Sequence, residues 1–382
     1  MRTETKLRIG ISCFPSVGGS GILATSLGLE LARQGHEVHF FSYDRPVRLP
    51  ADDPGITFHP VQMHGYGIFN LSDYTLPLAV RMAAVCRSNR LDILHAHYAV
   101  PHATAAVLAR EFLPDDLRPK VVATLHGTDT MLLGRDPAYK PVIRHALVHS
   151  DAITTVSEFL KEETARLIEP GHDISVVPNF FSPGVPSRSR MEVRSELGIR
   201  EDEALLIHVS NLRRVKRIDL LADVVSRIRP RESFKLLVVA GGDTQPLLDE
   251  IARLKLQDRV IILQNVTTIE DYFAAADIGL ITSEYESFCL SILEGMTFGC
   301  PTVSTAAGGI PEVIENGETG ILRPFGDAQG LAHAIERLIA DPRERRRLGD
   351  NARNRAAARF SSQQIVPAYL SVYRSAMRLE VS

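Results

Sequence analysis

Two doubly wound parallel α/β sheets are the architecture this sequence predicts, and three observations carry the prediction. The chain has 382 residues, more than one ordinary core accommodates. Short apolar runs alternate with helical spacing along most of it, the rhythm of strand, crossover helix and parallel strand. That rhythm breaks at Pro178–Arg190, where Pro178, Pro183, Gly184 and Pro186 mark a linker, and then resumes.

Before the linker, Leu7–Phe14, Val38–Ser42, Ile93–His97, Val121–His126, Ala152–Val156 and Ile174–Val177 read as strands. Gly21–Arg33, Leu76–Arg87 and Ala103–Phe112 have helical spacing, and Ala138–His149 reads as a surface helix. After it, Ala204–Val209, Phe234–Ala240, Val260–Leu263, Ile278–Ile281 and Thr302–Ser304 are the strands, with Ile218–Ile228 and Leu290–Phe298 among the helices. The closing segment Ser361–Met377 sets Ile365, Tyr369 and Tyr373 four apart, on one helix face. Two Rossmann-like domains are expected, 1–182 and 183–360, their ligand-binding edges facing across a cleft.

Composition narrows the function. Apolar and charged contents of 45% and 23% are those of a soluble globular protein, and a net charge of −3 offers no electrostatic case for nucleic acid or an anionic membrane. Cys13, Cys86, Cys289 and Cys300 form no C-x-x-C pair, so neither a disulfide framework nor a zinc site is indicated. The amino terminus lacks a signal peptide's apolar core, and no segment approaches the ~20 apolar residues that span a bilayer. A cytoplasmic protein is expected; the sequence leaves a homodimer open.

In such sheets ligands bind beyond the carboxyl ends of the strands. Pro15-Ser-Val-Gly-Gly-Ser-Gly21 lies there and leads into a helix, where glycine backbone and free N–H groups suit a phosphate or carboxylate. Its spacing is not the G-x-G-x-x-G of a dinucleotide site, although Asp44 lies roughly where the ribose acid would, so an oxidoreductase stays a minor alternative. Ser210-Asn-Leu-Arg-Arg-Val-Lys-Arg217 follows another strand, and Arg213 and Lys216, read as exposed loop cations, can neutralise a departing diphosphate. Arg214 and Arg217 are read as the solvent-facing pair. Glu286 lies in a loop after a buried strand, and Glu294 about one turn into the next helix. His126 precedes Gly127 at a strand end and can offer a hydrogen bond to a sugar or acceptor. His95 and His97 are read as pointing to opposite faces of their strand, which argues against a two-histidine metal site.

Taken together, Leu7–Gly21, His95-Ala-His-Tyr-Ala-Val-Pro-His102, Leu125-His-Gly-Thr-Asp129, Ser210–Arg217, the Glu286/Glu294 pair and Gly308-Gly-Ile-Pro-Glu-Val-Ile314 resemble retaining GT-B glycosyltransferases of family 4. The similarity runs over nearly the whole chain. The glutamate pair and the Gly-Gly-Ile-Pro-Glu turn specify only the broad family. Pro15–Gly21 and His97–His102 are more particular to the branch that performs the first step of bacillithiol biosynthesis.

The resemblance implies a retaining transfer of N-acetylglucosamine from UDP-N-acetylglucosamine to the hydroxyl of L-malate, and a final helix, 361–382, returned to the first domain. It implies that Arg213 and Lys216 hold the diphosphate, Glu294 the ribose, and Gly19 approaches the phosphates, with Ser210 and Val266 also on the donor side. Glu286 and the backbone of Phe288, Cys289 and Leu290 would orient the sugar, and His126 would touch it. Malate's two carboxylates demand donors and at least one cation; Ser20, Tyr98, His126, Thr128, Arg144 and Asn179 are the candidates, Arg144 being equally readable as an exposed helix residue. With no Asp-x-Asp motif in the cleft loops, no metal or other cofactor is expected.

Two positions depart from the family. Cys289 stands where glycine is usual, so either its side chain fits beside the sugar or the backbone turns without positive φ. Gly241-Gly-Asp-Thr244 replaces the usual Gly-Asp-Gly-Pro. The alternatives are another GT-B hexosyl or N-acetylhexosaminyl transferase with a lipid or polysaccharide acceptor, or a non-catalytic nucleotide-sugar-binding module. Against a lipid acceptor, Ser72–Arg90 lacks the dense Lys/Arg face of an interfacial helix.

Overall fold

The computed structural model describes residues 6–16, 18–63, 74–266 and 268–378; Val17 of the glycine-rich loop and Ser72 of the segment weighed for membrane contact lie outside them. The chain forms two compact units. The first comprises 1–179 with 362–382, and the second comprises 180–361.

In the first unit β1 (Arg8–Ser12), β2 (Glu37–Ser42), β3 (Ile56–Pro60), β4 (Ile93–His97), β5 (Lys120–Leu125), β6 (Ala152–Thr155) and β7 (Ile174–Val176) form one parallel sheet in the order β3-β2-β1-β4-β5-β6-β7. In the second, β8 (Ala204–Asn211), β9 (Phe234–Gly241), β10 (Val260–Gln264), β11 (Ile278–Ile281), β12 (Thr302–Thr305) and β13 (Gly320–Arg323) pair in the order β10-β9-β8-β11-β12-β13. Each sheet winds outward in both directions from a central pair, β1/β4 or β8/β11. Each therefore has a point where neighbouring loops diverge and leave a crevice at the strands' carboxyl ends.

Both faces of the sheets are covered, so most central strands are apolar throughout instead of alternating. Leu206 and Val238 pack with Leu221 and Leu331 on one side of the second sheet. Leu205, Ile207 and Leu237 pack with Val193 and Phe273 on the other. In the first sheet Phe41, Leu94 and Val121 meet Leu78, Met82, Ala105 and Ala109 of helices Thr75–Asn89 and Thr104–Glu111.

The strand β3 is absent from the sequence reading for a physical reason. It is the outer strand, Ile56-Thr-Phe-His-Pro60, only half-buried, and so has no continuous apolar run. β13 is likewise an outer strand, buried at Gly320 and Ile321 only.

The helix Ser362–Arg378 buries Ile365, Tyr369 and Tyr373 in the first unit. The Tyr373 hydroxyl hydrogen-bonds His95 Nδ1 at 2.8 Å, and His95 Nε2 reaches Thr124 Oγ1 at 2.6 Å. The reading of His95 and His97 on opposite faces is corrected here. Residues two apart on a pleated strand share a face, and the two ring centroids are 4.4 Å apart.

His95, His97 and His102 are fully buried, and His126 adjoins them. Burial holds all four neutral: it pushes His95, His102 and His126 down to about 3, and His97 well below the ordinary histidine value, with neighbouring imidazoles adding to the effect on His97. Asp129, in the adjoining loop, is pushed up by burial to about 7.

Because the histidines' folded values lie below their unfolded value, their contribution is complete above about pH 6.5. It is lost as pH falls towards about 3. Each histidine contributes a slope of up to ~1.4 kcal/mol per pH unit in that window. Asp129 has the opposite sign, losing stability as pH rises towards 7, and so offsets one histidine only. The urea midpoint of the first unit should therefore drop between about pH 7.5 and about pH 5.5. Tyrosine fluorescence reads it well, since the chain has no tryptophan and seven of its nine tyrosines belong to that unit. A midpoint independent of pH would show that these rings are not held neutral by the fold.

Candidate functional site

In the second unit the loops after β8 and β11 meet at the switch point. Thr282 Oγ1 donates to the Lys216 and Arg217 carbonyls, both at 3.2 Å, and Glu284 N–H donates to the Val215 carbonyl at 2.9 Å. This stitching brings Lys216 Nζ within 2.6 Å of Glu286 Oε1, which also accepts from Ser283 Oγ at 2.7 Å. Behind them the Gly-Gly-Ile-Pro-Glu turn holds the glutamate's backbone, Gly309 N–H donating to the Glu286 carbonyl at 2.9 Å.

Lys216 is thus no exposed loop cation. Burial works against its charge, but the attraction and hydrogen bond of Glu286 prevail and raise its pKa above the ordinary lysine value. The ammonium stays charged at the site. Arg213 is exposed beside it, as is Arg214. Arg217 is not the solvent-facing residue expected: it pairs with Asp219 at 2.7 Å and lies over the Phe325 ring at 5.0 Å.

The other donor-side candidates lie on the same loops or beneath them. Ser210 Oγ bonds His208 Nε2 at 2.8 Å, and His208 is itself buried and pushed to about 4 by desolvation. Val266 is half-buried against the core of this unit. Phe288 is buried edge-on against Phe360, with centroids 5.5 Å apart. Leu290 opens the helix Leu290–Thr297, and Glu294 is buried on it.

Cys289 caps that helix with φ 73° and ψ 80°. The backbone keeps the left-handed turn that glycine would give without strain, and the side chain fits, with Sγ 3.4 Å from Ser291 Oγ. A left-handed conformation in a residue bearing Cβ costs about 1–2 kcal/mol. Burial pushes its thiol up to about 12, so it is no nucleophile at neutral pH. In the other departing loop, Gly241 lies against the Asn211 side chain with no room for a Cβ, and Gly242 has φ +84°.

In the first unit the loops after β1, β4 and β5 converge. A Cβ on Gly21 would lie 2.6 Å from the Ser16 carbonyl and 2.8 Å from that of Phe14, so this turn requires glycine. Gly19 is exposed at the first turn of helix Gly19–Arg33, and the next residue, Ser20, shares a 2.9 Å hydrogen bond with the Tyr98 hydroxyl. Tyr98, at φ 89°, brings its ring centroid within 5.1 Å of His126. His126 Nε2 lies 3.0 Å from His97 Nδ1.

Asp129 fastens these loops together, accepting from Ala99 N–H at 2.8 Å and His126 N–H at 3.4 Å. Ser20, Tyr98 and His126 are therefore brought together, with half-buried Thr128 on the same loop as His126. Arg144 is placed elsewhere, exposed on helix Lys140–Val148 with Nε donating to the Glu169 carbonyl at 3.1 Å. Asn179, at which the chain leaves the first unit, is buried.

His97, Asp129, Thr282 and Ser283 are the positions that sequence reasoning passed over. Each adjoins a residue it did select, and the available signal was a polar side chain within four residues of a strand end. Among the described residues no three His, Cys, Asp or Glu side chains are grouped to hold a metal ion, and no helix is long and apolar enough to cross a membrane.

Comparison with known proteins bears on the family and the fold. Residues 17–184 match the family model described as Glycosyltransferase Family 4, and residues 189–355 match Glycosyl transferases group 1. The chain is 41% identical to N-acetyl-alpha-D-glucosaminyl L-malate synthase of Bacillus anthracis, covering 98% of each. It is 26% identical to D-inositol 3-phosphate glycosyltransferase of Thermobifida fusca, covering 94% of this chain and 89% of that protein.

Among solved structures, sucrose-phosphate synthase from Thermosynechococcus elongatus superposes with a TM-score of 0.80 at 22% identity, over 97% of this chain and 98% of that one. Anabaena HepE in complex with UDP and glucose gives a TM-score of 0.76 at 21% identity, over 97% and 100%. Those two likenesses concern the fold. With matches in both halves and a relative alike over its full length, the chain belongs to the GT-B glycosyltransferases and is an enzyme of that family.

Proposed function

We propose that this enzyme transfers N-acetylglucosamine from UDP-N-acetylglucosamine to the hydroxyl of L-malate with retention, as the first step of bacillithiol biosynthesis. The observation that carries the donor half is the Lys216–Glu286 pair at the switch point of the second unit, with Arg213 beside it. A half-buried, charged ammonium and a guanidinium suit a diphosphate whose charge grows as the sugar–phosphate bond breaks. The acceptor is supported by the 41% identity to the malate synthase.

In this reading the diphosphate competes for Lys216, and Glu286, released from it, meets the sugar hydroxyls while Ser283 keeps it in place. Glu294 takes the ribose. The backbone N–H groups opening helix Leu290–Thr297 add positive potential. Ser20, Tyr98 and His126 receive the acceptor and the transferred sugar. The departing phosphate takes the malate proton on the face it leaves. No metal ion is assigned a role, since the two cations supply the neutralising charge.

The direct test is incubation of the purified enzyme with UDP-N-acetylglucosamine and a panel of hydroxy acids, in the presence of a chelator, with products identified by mass. N-acetylglucosaminyl malate formed with chelator present supports the proposal. A product on another acceptor, or turnover that returns only with magnesium or manganese, overturns its acceptor or its metal independence respectively.

Arg213→Ala and Lys216→Ala should each lower turnover strongly, the loss of one preorganised cation amounting to ~3 kcal/mol of transition-state stabilisation. Their effects on stability should differ. Arg213 is exposed, whereas removal of Lys216 leaves the buried Glu286 without its cation, a loss of ~1–3 kcal/mol. Denaturation and steady-state kinetics on both variants check this together.

Tyr98→Phe should raise the Michaelis constant for malate ~10-fold, as expected for losing a hydrogen bond to a charged group. Its UDP affinity should stay close to wild type. Arg144→Ala should change neither, because its guanidinium is engaged with the Glu169 carbonyl on the outer face of its helix. Kinetics with varied malate and calorimetric titration of UDP read the two effects separately.

A further inference from the structure

We infer that His97 is a positioning residue: it fixes the tautomer of His126, so that His126 acts on its ligand as a hydrogen-bond donor through Nδ1. The inference rests on the reading above in which His126 touches the transferred sugar. It follows from one contact and one buried atom.

The contact is the 3.0 Å approach of His97 Nδ1 to His126 Nε2, with ring planes 16° apart. A neutral imidazole carries its proton on one nitrogen, so one partner donates and the other accepts. The buried atom is His97 Nε2, which is shut from solvent and has no hydrogen-bond partner among the described residues.

If His126 donated from Nε2, His97 would have to accept on Nδ1 and carry its own proton on Nε2. That would bury an N–H group facing no acceptor, an arrangement folded proteins rarely tolerate. The reverse leaves only a bare lone pair on His97 Nε2. His97 Nδ1–H therefore donates, and His126 Nε2 accepts.

The proton of neutral His126 is then confined to Nδ1. Protonating His97 on both nitrogens would give the same direction but would put a charge where burial opposes it. The geometry is held from every side. The His95 ring backs His97 at 4.4 Å, and Tyr373 holds His95 from the closing helix. Asp129 pins the His126 backbone to that of Ala99.

A chemical consequence follows for the transfer. With its Nε2 lone pair engaged and Nδ1 protonated, His126 has no free base to offer. It can donate to a hydroxyl or carbonyl oxygen of the sugar, but it cannot take the proton of the attacking hydroxyl. Discrimination by His126 should favour ligands presenting an acceptor oxygen there.

The first part of the test reads the tautomer in the native enzyme. Long-range proton–nitrogen correlation spectra of the full chain labelled with 15N-histidine should show His126 protonated on Nδ1 and unprotonated on Nε2, its signals assigned by their loss in His126→Gln. An Nε2-protonated His126 overturns the inference whatever the enzyme's substrates prove to be.

The second part uses matched substitutions. In His97→Asn, the side-chain amide N–H can replace the Nδ1–H donor, so the tautomer and kcat should be largely kept. His97→Asp can only accept, and should turn His126 to the Nε2–H form. It should lower kcat ~10-fold or more, about what one misdirected hydrogen bond is worth. UDP affinity should change little, and a new dependence on pH should emerge as the carboxylate favours imidazolium.

His97→Phe serves if the aspartate does not fold, and should lower kcat without pH dependence. Equal kcat in the asparagine, phenylalanine and wild-type proteins would overturn the positioning role. A wild-type enzyme with no malate-dependent UDP release, but with His126 protonated on Nδ1, would instead fail the functional reading and leave the tautomer assignment standing.

Discussion

The constraint on which the rest depends is the reversal of winding at the centre of each sheet. Once β1 and β4, or β8 and β11, lie side by side with crossovers leading away on both flanks, two loops are left over each central pair. No backbone ladder satisfies those loops, so side chains and loop-to-loop bonds must. Thr282, Ser283 and Gly309 do this in the second unit, and Asp129 and Tyr98 in the first. The residues that complete the fold at these points therefore adjoin those assigned to the chemistry.

The two units solve the problem of burying polar groups in opposite ways. The second keeps charge and pairs it, Lys216 against Glu286. The first removes charge, holding several histidines neutral in an interior where an imidazolium would be unsolvated. The difference suits the ligands proposed for each. A diphosphate needs permanent cations, whereas an acceptor hydroxyl and a sugar need directed neutral donors.

Much of the fold was legible in the sequence because parallel strands covered on both faces become continuous apolar runs, as in Leu236-Leu-Val-Val-Ala240 of β9. β3 was not legible, since a half-covered outer strand carries no such run. The loop positions of Arg213, Lys216 and Glu286 followed from strand ends, but their mutual distances did not. Lys216 and Glu286 are 70 residues apart, and their meeting depends on which strands are neighbours. The same limit affected the histidines: His97 ends β4 and His126 follows the neighbouring β5, and only the β4–β5 register puts them in reach. Arg144 shows the converse. Charge chemistry selected it, and the helix it stands on turns it to solvent.

The helix Ser362–Arg378 has a consequence for the order in which the chain can be built. The residues that close the interior of the first unit, Tyr369 and Tyr373 among them, are synthesised only after the entire second unit. The second unit is in effect an insertion within the first. During synthesis it can fold while the first still lacks the side chains that cover His95, so the amino-terminal unit must wait with an apolar surface exposed. Synthesis of this helix thus sets the moment at which the first unit becomes a finished structure.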